Sequence, residues 1–115
     1  MKIAVIGSRN FTDYELLKSK LDKIHERKII TCIVSGGAKG ADKLSERWAD
    51  ENGIEKLIFI PDWNKYGKRA GFLRNEDIIK NADAVVAFWD GVSKGTQHGI
   101  NLSKKHEKSC LIVKF

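Results

Sequence analysis

Proline occurs once in the 115 residues, at Pro61, and cysteine twice, at Cys32 and Cys110. With so little proline and no low-complexity block, nothing in the chain reads as a linker between domains, and 115 residues suit one domain over 1–115. No apolar run approaches the roughly 20 residues that a bilayer-spanning helix needs, which excludes a transmembrane chain and a membrane partner. The stretch Met1-Lys2-Ile3-Ala4-Val5-Ile6 is too short for a signal-peptide core and has no cleavage pattern behind it, so a cytoplasmic location is expected. Both cysteines sit inside apolar runs and read as buried thiols of a reducing compartment, not as a disulfide framework. His25, His98 and His106 have no spacing that assembles a zinc site with them, and no metal site is expected. Acidic residues are also in deficit: 15 Asp and Glu face 21 Lys and Arg, a net charge of +6 that favours anionic partners such as nucleotides or nucleic acid.

Hydrophobic residues make up 42% of the chain, enough for a packed interior. They concentrate in five short runs, at 3–6, 29–34, 56–60, 84–88 and 110–113. Each run is rich in β-branched residues and nearly continuous, the pattern of strands buried on both faces of a parallel sheet. Four stretches of helical length separate them, at 13–27, 40–52, 70–81 and 96–107. The first begins with Thr12 and Glu15 in capping-box spacing, flanked by Phe11 and Leu16 as a hydrophobic staple, and Leu17, Leu21 and Ile24 fall on one face. The second aligns Ala41, Leu44 and Trp48 and stops at Gly53, a good residue just past a helix end. This alternation predicts right-handed βαβ units and a three-layer α/β, Rossmann-like domain with a five-stranded parallel sheet and about four helices. In such sheets ligands bind beyond the carboxyl ends of the strands, which puts function in the loops 7–12, 35–40, 61–69 and 89–95.

The second of these loops reads Ser35-Gly36-Gly37-Ala38-Lys39-Gly40-Ala41-Asp42. Three glycines leading into a helix allow close backbone approach to an anion, with free N–H groups at the helix start and Lys39 adding charge. The same glycines also suit a tight turn that serves packing alone. Neither a P-loop nor the dinucleotide GxGxxG pattern is present. The fourth loop, Trp89-Asp90-Gly91-Val92-Ser93-Lys94-Gly95-Thr96, repeats the recipe, although Thr96 is equally a plain N-cap. The third loop and the helix after it hold Trp63, Tyr66, Lys68, Arg69 and Arg74. Aromatics among cations suit base stacking, worth roughly 1–3 kcal/mol per base, and a guanidinium holds phosphate with two parallel hydrogen bonds. Trp63 and Tyr66 also fit a lid over the sheet edge, and Trp89 fits either the core or a ligand wall. Lys104, Lys105 and Lys108 read as a solvated face near a helix end.

Taken in order, Gly7-Ser8-Arg9, the loop 35–42, Ala70-Gly71-Phe72-Leu73-Arg74-Asn75 and the loop 90–96 resemble the SLOG superfamily. That group takes in the DNA-processing protein DprA/Smf, the "lonely guy" (LOG) phosphoribohydrolases, and small bacterial and phage members, to which the likeness is greatest. The resemblance spans nearly the whole chain. It implies a Rossmann-like fold binding a nucleotide or nucleotide-derived ligand in these loops, within a homodimer or higher homo-oligomer. Gly36, Gly37 and Gly40 match the glycines of the family's phosphate-binding loop, and Gly95 and Thr96 match its second glycine motif. LOG enzymes carry a catalytic Glu three residues after that Thr, where this chain has Gly99, and Ser93 stands where they have Gly. The acidic candidates left near the cleft are Asp42 and Asp90, and Asp42 also suits the positive end of a helix, worth about 0.3–1 kcal/mol.

The expected ligand site therefore takes in Gly7, Ser8, Arg9, Ser35, Gly36, Gly37, Lys39, Gly40, Asp42, Arg74, Asn75, Gly95 and Thr96. Trp63, Tyr66 and Trp89 are the base-stacking candidates. A magnesium ion would arrive only with the ligand's phosphates. The leading expectation is a sensor, carrier or sponge for a phosphorylated nucleotide. The alternatives are a nucleotide or N-glycosidic hydrolase using Asp42 or Asp90, and single-stranded DNA binding of the DprA kind.

Overall fold

The computed structural model describes residues 1–115. Five parallel strands, β1 (Lys2–Gly7), β2 (Cys32–Ser35), β3 (Glu55–Ile58), β4 (Ala84–Trp89) and β5 (Ser109–Lys114), form one sheet in the order β3-β2-β1-β4-β5. Four long helices connect them: α1 (Tyr14–Arg27), α2 (Ala41–Glu51), α4 (Ala70–Lys80) and α5 (Lys94–Lys105). The one-turn helix α3 (Trp63–Tyr66) and a 3₁₀ turn (Gly67–Arg69) lead into α4. The chain moves outward from β1 to β3, then returns to place β4 against the other side of β1. The topological switch point therefore lies between β1 and β4.

Strand alternation sorts the core into two layers. Ile3 and Val5 of β1, Ile33 of β2 and Val86 and Phe88 of β4 join Leu17 and Leu21 of α1 and Ala41, Trp48 and Ala49 of α2. Ala4 and Ile6, Cys32 and Val34, and Val85 and Ala87 point the other way, against Ile78 and Ile79 of α4 and Ile100 and Leu102 of α5. Trp48 is fully buried, and its indole N–H donates to Asp22 Oδ1 at 2.9 Å, so a bulky ring enters the core without stranding its donor. These layers explain the continuous apolar runs of β1, β2 and β4, which have helices on both faces.

The edge strands differ from the expectation of two-sided burial. On β3, Glu55 and Lys56 are exposed; on β5, Leu111 and Ile112 are partly open, because a strand at the rim has a neighbour on one side only. The start of α1 differs by one residue: Asp13, not Thr12, is the cap, its Oδ1 accepting the Leu16 amide at 3.1 Å. Phe11 and Leu16 join the same core layer, but the ring of Phe11 stacks on Phe88 and meets Phe115 edge-on, both with centroids 4.8 Å apart. Within the loop expected over 61–69, Asp62 caps the extra turn of helix by accepting the Lys65 amide at 3.0 Å. At the end of α2, Gly53 adopts φ +64°, as its position past a helix end requires.

A cleft at the topological switch point

Beyond the carboxyl ends of β1 and β4 lies a cleft of about 470 Å³, lined by sixteen residues of which four are hydrophobic. Its floor is the turn after β1. The Ser8 amide donates to the Phe88 carbonyl at 2.9 Å, and the buried Ser8 hydroxyl accepts the Asp90 amide at 3.3 Å, tying the ends of β1 and β4 together. Gly7 permits this closeness: a Cβ there would stand 2.5 Å from Ala41 Cβ and 2.7 Å from the Phe88 carbonyl oxygen.

The turn after β4 is folded by Asp90. Its Oδ1 accepts the amides of Val92 and Ser93 at 2.9 and 2.8 Å, which hold this carboxyl below the usual range. Asp90 thus lines the cleft with one oxygen already committed to the loop. Ser93 caps α5, its hydroxyl 3.1 Å from that of the buried Thr96. Gly95 sits at the open mouth, where a Cβ would meet nothing within 4 Å. Trp89 belongs to the loop and core: its indole N–H donates to the Ser93 carbonyl at 3.1 Å and its ring packs against the second core layer.

The turn after β2 supplies one wall. Ser35 is buried, its hydroxyl accepting the Gly37 amide at 3.2 Å and donating to Glu46 Oε2 at 3.4 Å. Gly40, at φ +80°, lies against the backbone carbonyls of Ser8 and Arg9, so the turns after β1 and β2 touch there. Asp42, in the first turn of α2, is only 6% exposed and faces the cleft, its Oδ2 accepting the Ala38 amide at 3.1 Å. Burial raises its pKa to about 6, against the opposing influence of the Ala38 amide and of Arg74 nearby.

The facing wall is α4. Arg74 Nη1 donates to the Gly36 carbonyl at 2.8 Å and Nε to Asn75 Oδ1 at 3.0 Å, leaving Nη2 without a protein acceptor. Burial lowers its pKa, Asp42 opposes that shift, and Arg9 adds to it. Asn75 is held in turn by His98 of α5, with Asn75 Nδ2 3.2 Å from His98 Nδ1. The cleft thus joins two arginines, a helix start and a buried carboxylate, charges of both signs within one cavity. No group of three or more His, Cys, Asp and Glu side chains converges anywhere in the structure.

Of the residues expected at the site, Gly7, Ser8, Arg9, Asp42, Arg74, Asn75, Asp90, Gly95 and Thr96 line the cleft together. Ser35, Gly36, Gly37, Lys39 and Gly40 stand behind or beside the wall, where the glycines serve close packing. Trp63 and Tyr66 are exposed on the segment before α4 and lie outside the lining; Trp89, half-buried at the end of β4, lies outside it too. Asn10, Ala38, Ser93 and Gly99 line it as well. Asn10 and Ala38 adjoin expected residues and were within reach of the motif reading, whereas the support of Asn75 by His98 joins two helices and has no local signal.

Residues 1–66 match the family described as YAcAr, the YspA, cpYpsA-related SLOG family. The Gene 61 protein of Mycobacterium phage D29 is 34% identical over 111 residues, covering 90% of this chain and 89% of that protein. The chain belongs to the YAcAr family of SLOG proteins. Its fold is shared with DNA processing protein A (DprA) from Streptococcus pneumoniae, at a TM-score of 0.82 and 18% identity over 99% of this chain. DprA from Helicobacter pylori, described for its single-stranded DNA binding mode, gives a TM-score of 0.73 at 22% identity over 97% of this chain. The YAcAr chain spans 50% and 64% of those two DprA chains, respectively. Family membership supports a nucleotide- or nucleic-acid-binding role, and the likeness to DprA shows the fold.

Proposed function

We propose that this YAcAr protein binds a phosphorylated nucleotide or nucleotide-derived small ligand in the cleft between β1 and β4, as a sensor, carrier or sponge. The observation that carries this reading is Arg74: its guanidinium is oriented by Gly36 and Asn75, and its free Nη2 shares the cleft with Arg9 and the start of α5. A half-buried, preoriented guanidinium and helix-start amides are a standard means of holding phosphate. A volume near 470 Å³ falls within the roughly 300–1,000 Å³ of small-ligand sites. Gly36 and Gly40 act in this reading by letting Arg74 and the β1 turn approach, while Gly37 makes room for Ile60.

A thermal-shift panel of mono-, di- and triphosphates, ADP-ribose, NAD, cyclic nucleotides and a short single-stranded DNA tests the reading. A ligand at about 100 times its Kd adds about 2.7 kcal/mol, a rise of roughly ten degrees for a chain of this size. The expected result is such a rise with one small nucleotide, absent in R74A. A rise with DNA alone, fading as salt increases, would replace this reading by a DprA-like one. Light-scattering mass tests the homodimer that the family resemblance implies.

A hydrolytic role is the second reading, and Asp42 is the observation that favours it. A cleft carboxyl with a pKa of about 6 lies in the range that suits a general acid or base. Chromatography of the bound nucleotide after incubation tests it: product in wild type and none in D42N is the expected outcome of turnover.

A further inference from the structure

Within this cleft one group is of the wrong sign for a phosphate. Asp42 is 6% exposed, faces the cavity and has no lysine or arginine within ion-pair distance. Its neighbours are otherwise engaged. Arg74 spends Nη1 and Nε on Gly36 and Asn75, and Glu46, behind it, is occupied by Ser35 and Lys43. The Ala38 amide occupies Oδ2, and the Gly36 amide also faces the carboxylate. An ionised carboxylate has acceptor sites on two oxygens and nothing to donate, so the remaining capacity of Asp42 calls for a donor from the ligand.

A ligand phosphate cannot be that donor, since it too only accepts and carries like charge; Arg74, Arg9 and the α5 start are its places. Asp42 and Arg74 are near enough for their charges to act on each other, so whatever meets Asp42 lies close to the phosphate. In a nucleotide the sugar is joined directly to the phosphate and the base is one unit further away. The sugar's hydroxyls are the donors within reach.

We infer that the cleft selects a ribonucleotide, Asp42 accepting hydrogen bonds from the ribose hydroxyls while Arg74 holds the phosphate. This rests on the phosphate site proposed above. A 2′-hydroxyl contact of this kind separates ribonucleotides from deoxyribonucleotides and argues against a DNA strand as the occupant of the cleft.

The test is calorimetric titration at pH 7.5, where Asp42 is ionised, with the four ribonucleoside 5′-monophosphates and their four 2′-deoxy counterparts. A hydrogen bond to a charged group implies a ribose preference of about ten- to hundredfold for the nucleotide that binds. D42A abolishes that preference, and D42N, which keeps an acceptor for the Ala38 amide, reduces it to severalfold. Equal wild-type affinity for ribo and deoxy forms, with both lost in R74A, would overturn the ribose inference and leave the phosphate reading standing. A ribose preference that survives D42A would overturn the role of Asp42. Failure of all eight nucleotides to bind would overturn the inference, while the phosphate reading stands or falls with the wider thermal-shift panel. The wild-type comparison needs no variant to fold.

Discussion

Arg74 Nη1 donates to the carbonyl oxygen of Gly36 at 2.8 Å, across 38 positions of chain, and so joins α4 to the turn after β2. Gly36 is glycine because Arg74 is there: a Cβ would stand 2.5 Å from Nη1 and 3.0 Å from Cζ. Unlike Gly37 and Gly40, Gly36 does not have a positive φ, so alanine is barred there by the guanidinium and not by the backbone. G36A therefore moves a flexible side chain while the fold stays intact. The expected result is a nucleotide affinity reduced about tenfold or more in G36A, a similar loss in R74A, and a double variant no worse than either. Additive losses in the double-mutant cycle would show that Gly36 contributes by some route other than Arg74.

The two core layers were legible in the order of apolar runs and in the spacing of Ala41, Leu44 and Trp48. So was the placement of the cleft among the loops after the strands, because parallel sheets leave those ends open. The division of labour inside the loops was not legible. Gly36, Gly37 and Gly40 have the same local pattern whether they touch a ligand or let two turns meet, and only the nearness of Ser8, Arg9, Ile60 and Arg74 decides. Asp42 reads as a residue complementing a helix end, since nothing local shows that α2 turns it inward to 6% exposure. Trp89, at a strand end, suits core and ligand wall alike by its position in the chain; the hydrogen bond from its indole N–H to the Ser93 carbonyl decides for the loop and core. The exposed edges of β3 and β5 were missed because a continuous apolar run looks alike at the centre and at the rim.

Asp42 makes the fold's stability depend on pH in an unusual direction. Its carboxyl holds a proton up to about pH 6 in the folded chain, against a reference value of 3.8, so protonation favours folding. This contribution is complete below the reference value and is lost as pH rises through about 6, costing on the order of 3 kcal/mol at neutral pH. Asp22, Glu51 and Asp83 act oppositely, being lowered by their Lys18, Tyr14 and Lys2 partners, and their losses fall at more acid pH. D42N, which needs no proton, should melt several degrees above wild type at pH 7.5, with the gap about halved at pH 5 and closed near pH 4. Thermal denaturation from pH 4 to 7.5 checks it, and a gap that does not change with pH would count against a buried, ionised Asp42.

The orientation of Arg74 has a second support in His98. Asn75 Nδ2 lies 3.2 Å from His98 Nδ1 while Asn75 Oδ1 accepts from Arg74 Nε, so the amide is turned one way by two partners. Donation from the amide requires His98 neutral with Nδ1 unprotonated, and burial, which lowers the His98 pKa, favours that state. The histidine's contribution is therefore present at and above its ordinary pKa and is lost as pH falls through its lowered one. In H98A the Asn75 amide is free to turn, and exchange of the Arg74 Nε proton with solvent should quicken, with little change in melting temperature. Nuclear magnetic resonance of that proton in both proteins reads the effect without any ligand; equal exchange rates would break the proposed relay.

Adding the same methyl group at Gly7 and at Gly95 separates architecture from site. At Gly7 a Cβ meets Ala41 Cβ at 2.5 Å and the Phe88 carbonyl oxygen at 2.7 Å, atoms fixed by helix and sheet. Overpacking of that kind costs about 1–3 kcal/mol, so G7A should unfold measurably earlier in urea with an unchanged m-value. At Gly95, in the first turn of α5, a Cβ meets nothing within 4 Å, and φ is not in the positive range. G95A should keep wild-type stability or gain about 0.4–1 kcal/mol through the unfolded state. Its cost should appear only on binding, as a nucleotide affinity weakened because the methyl occupies the space at the helix start where a phosphate must come close. A G95A protein that bound nucleotide as tightly as wild type would move the phosphate away from α5 and leave Arg74 and Arg9 as its holders.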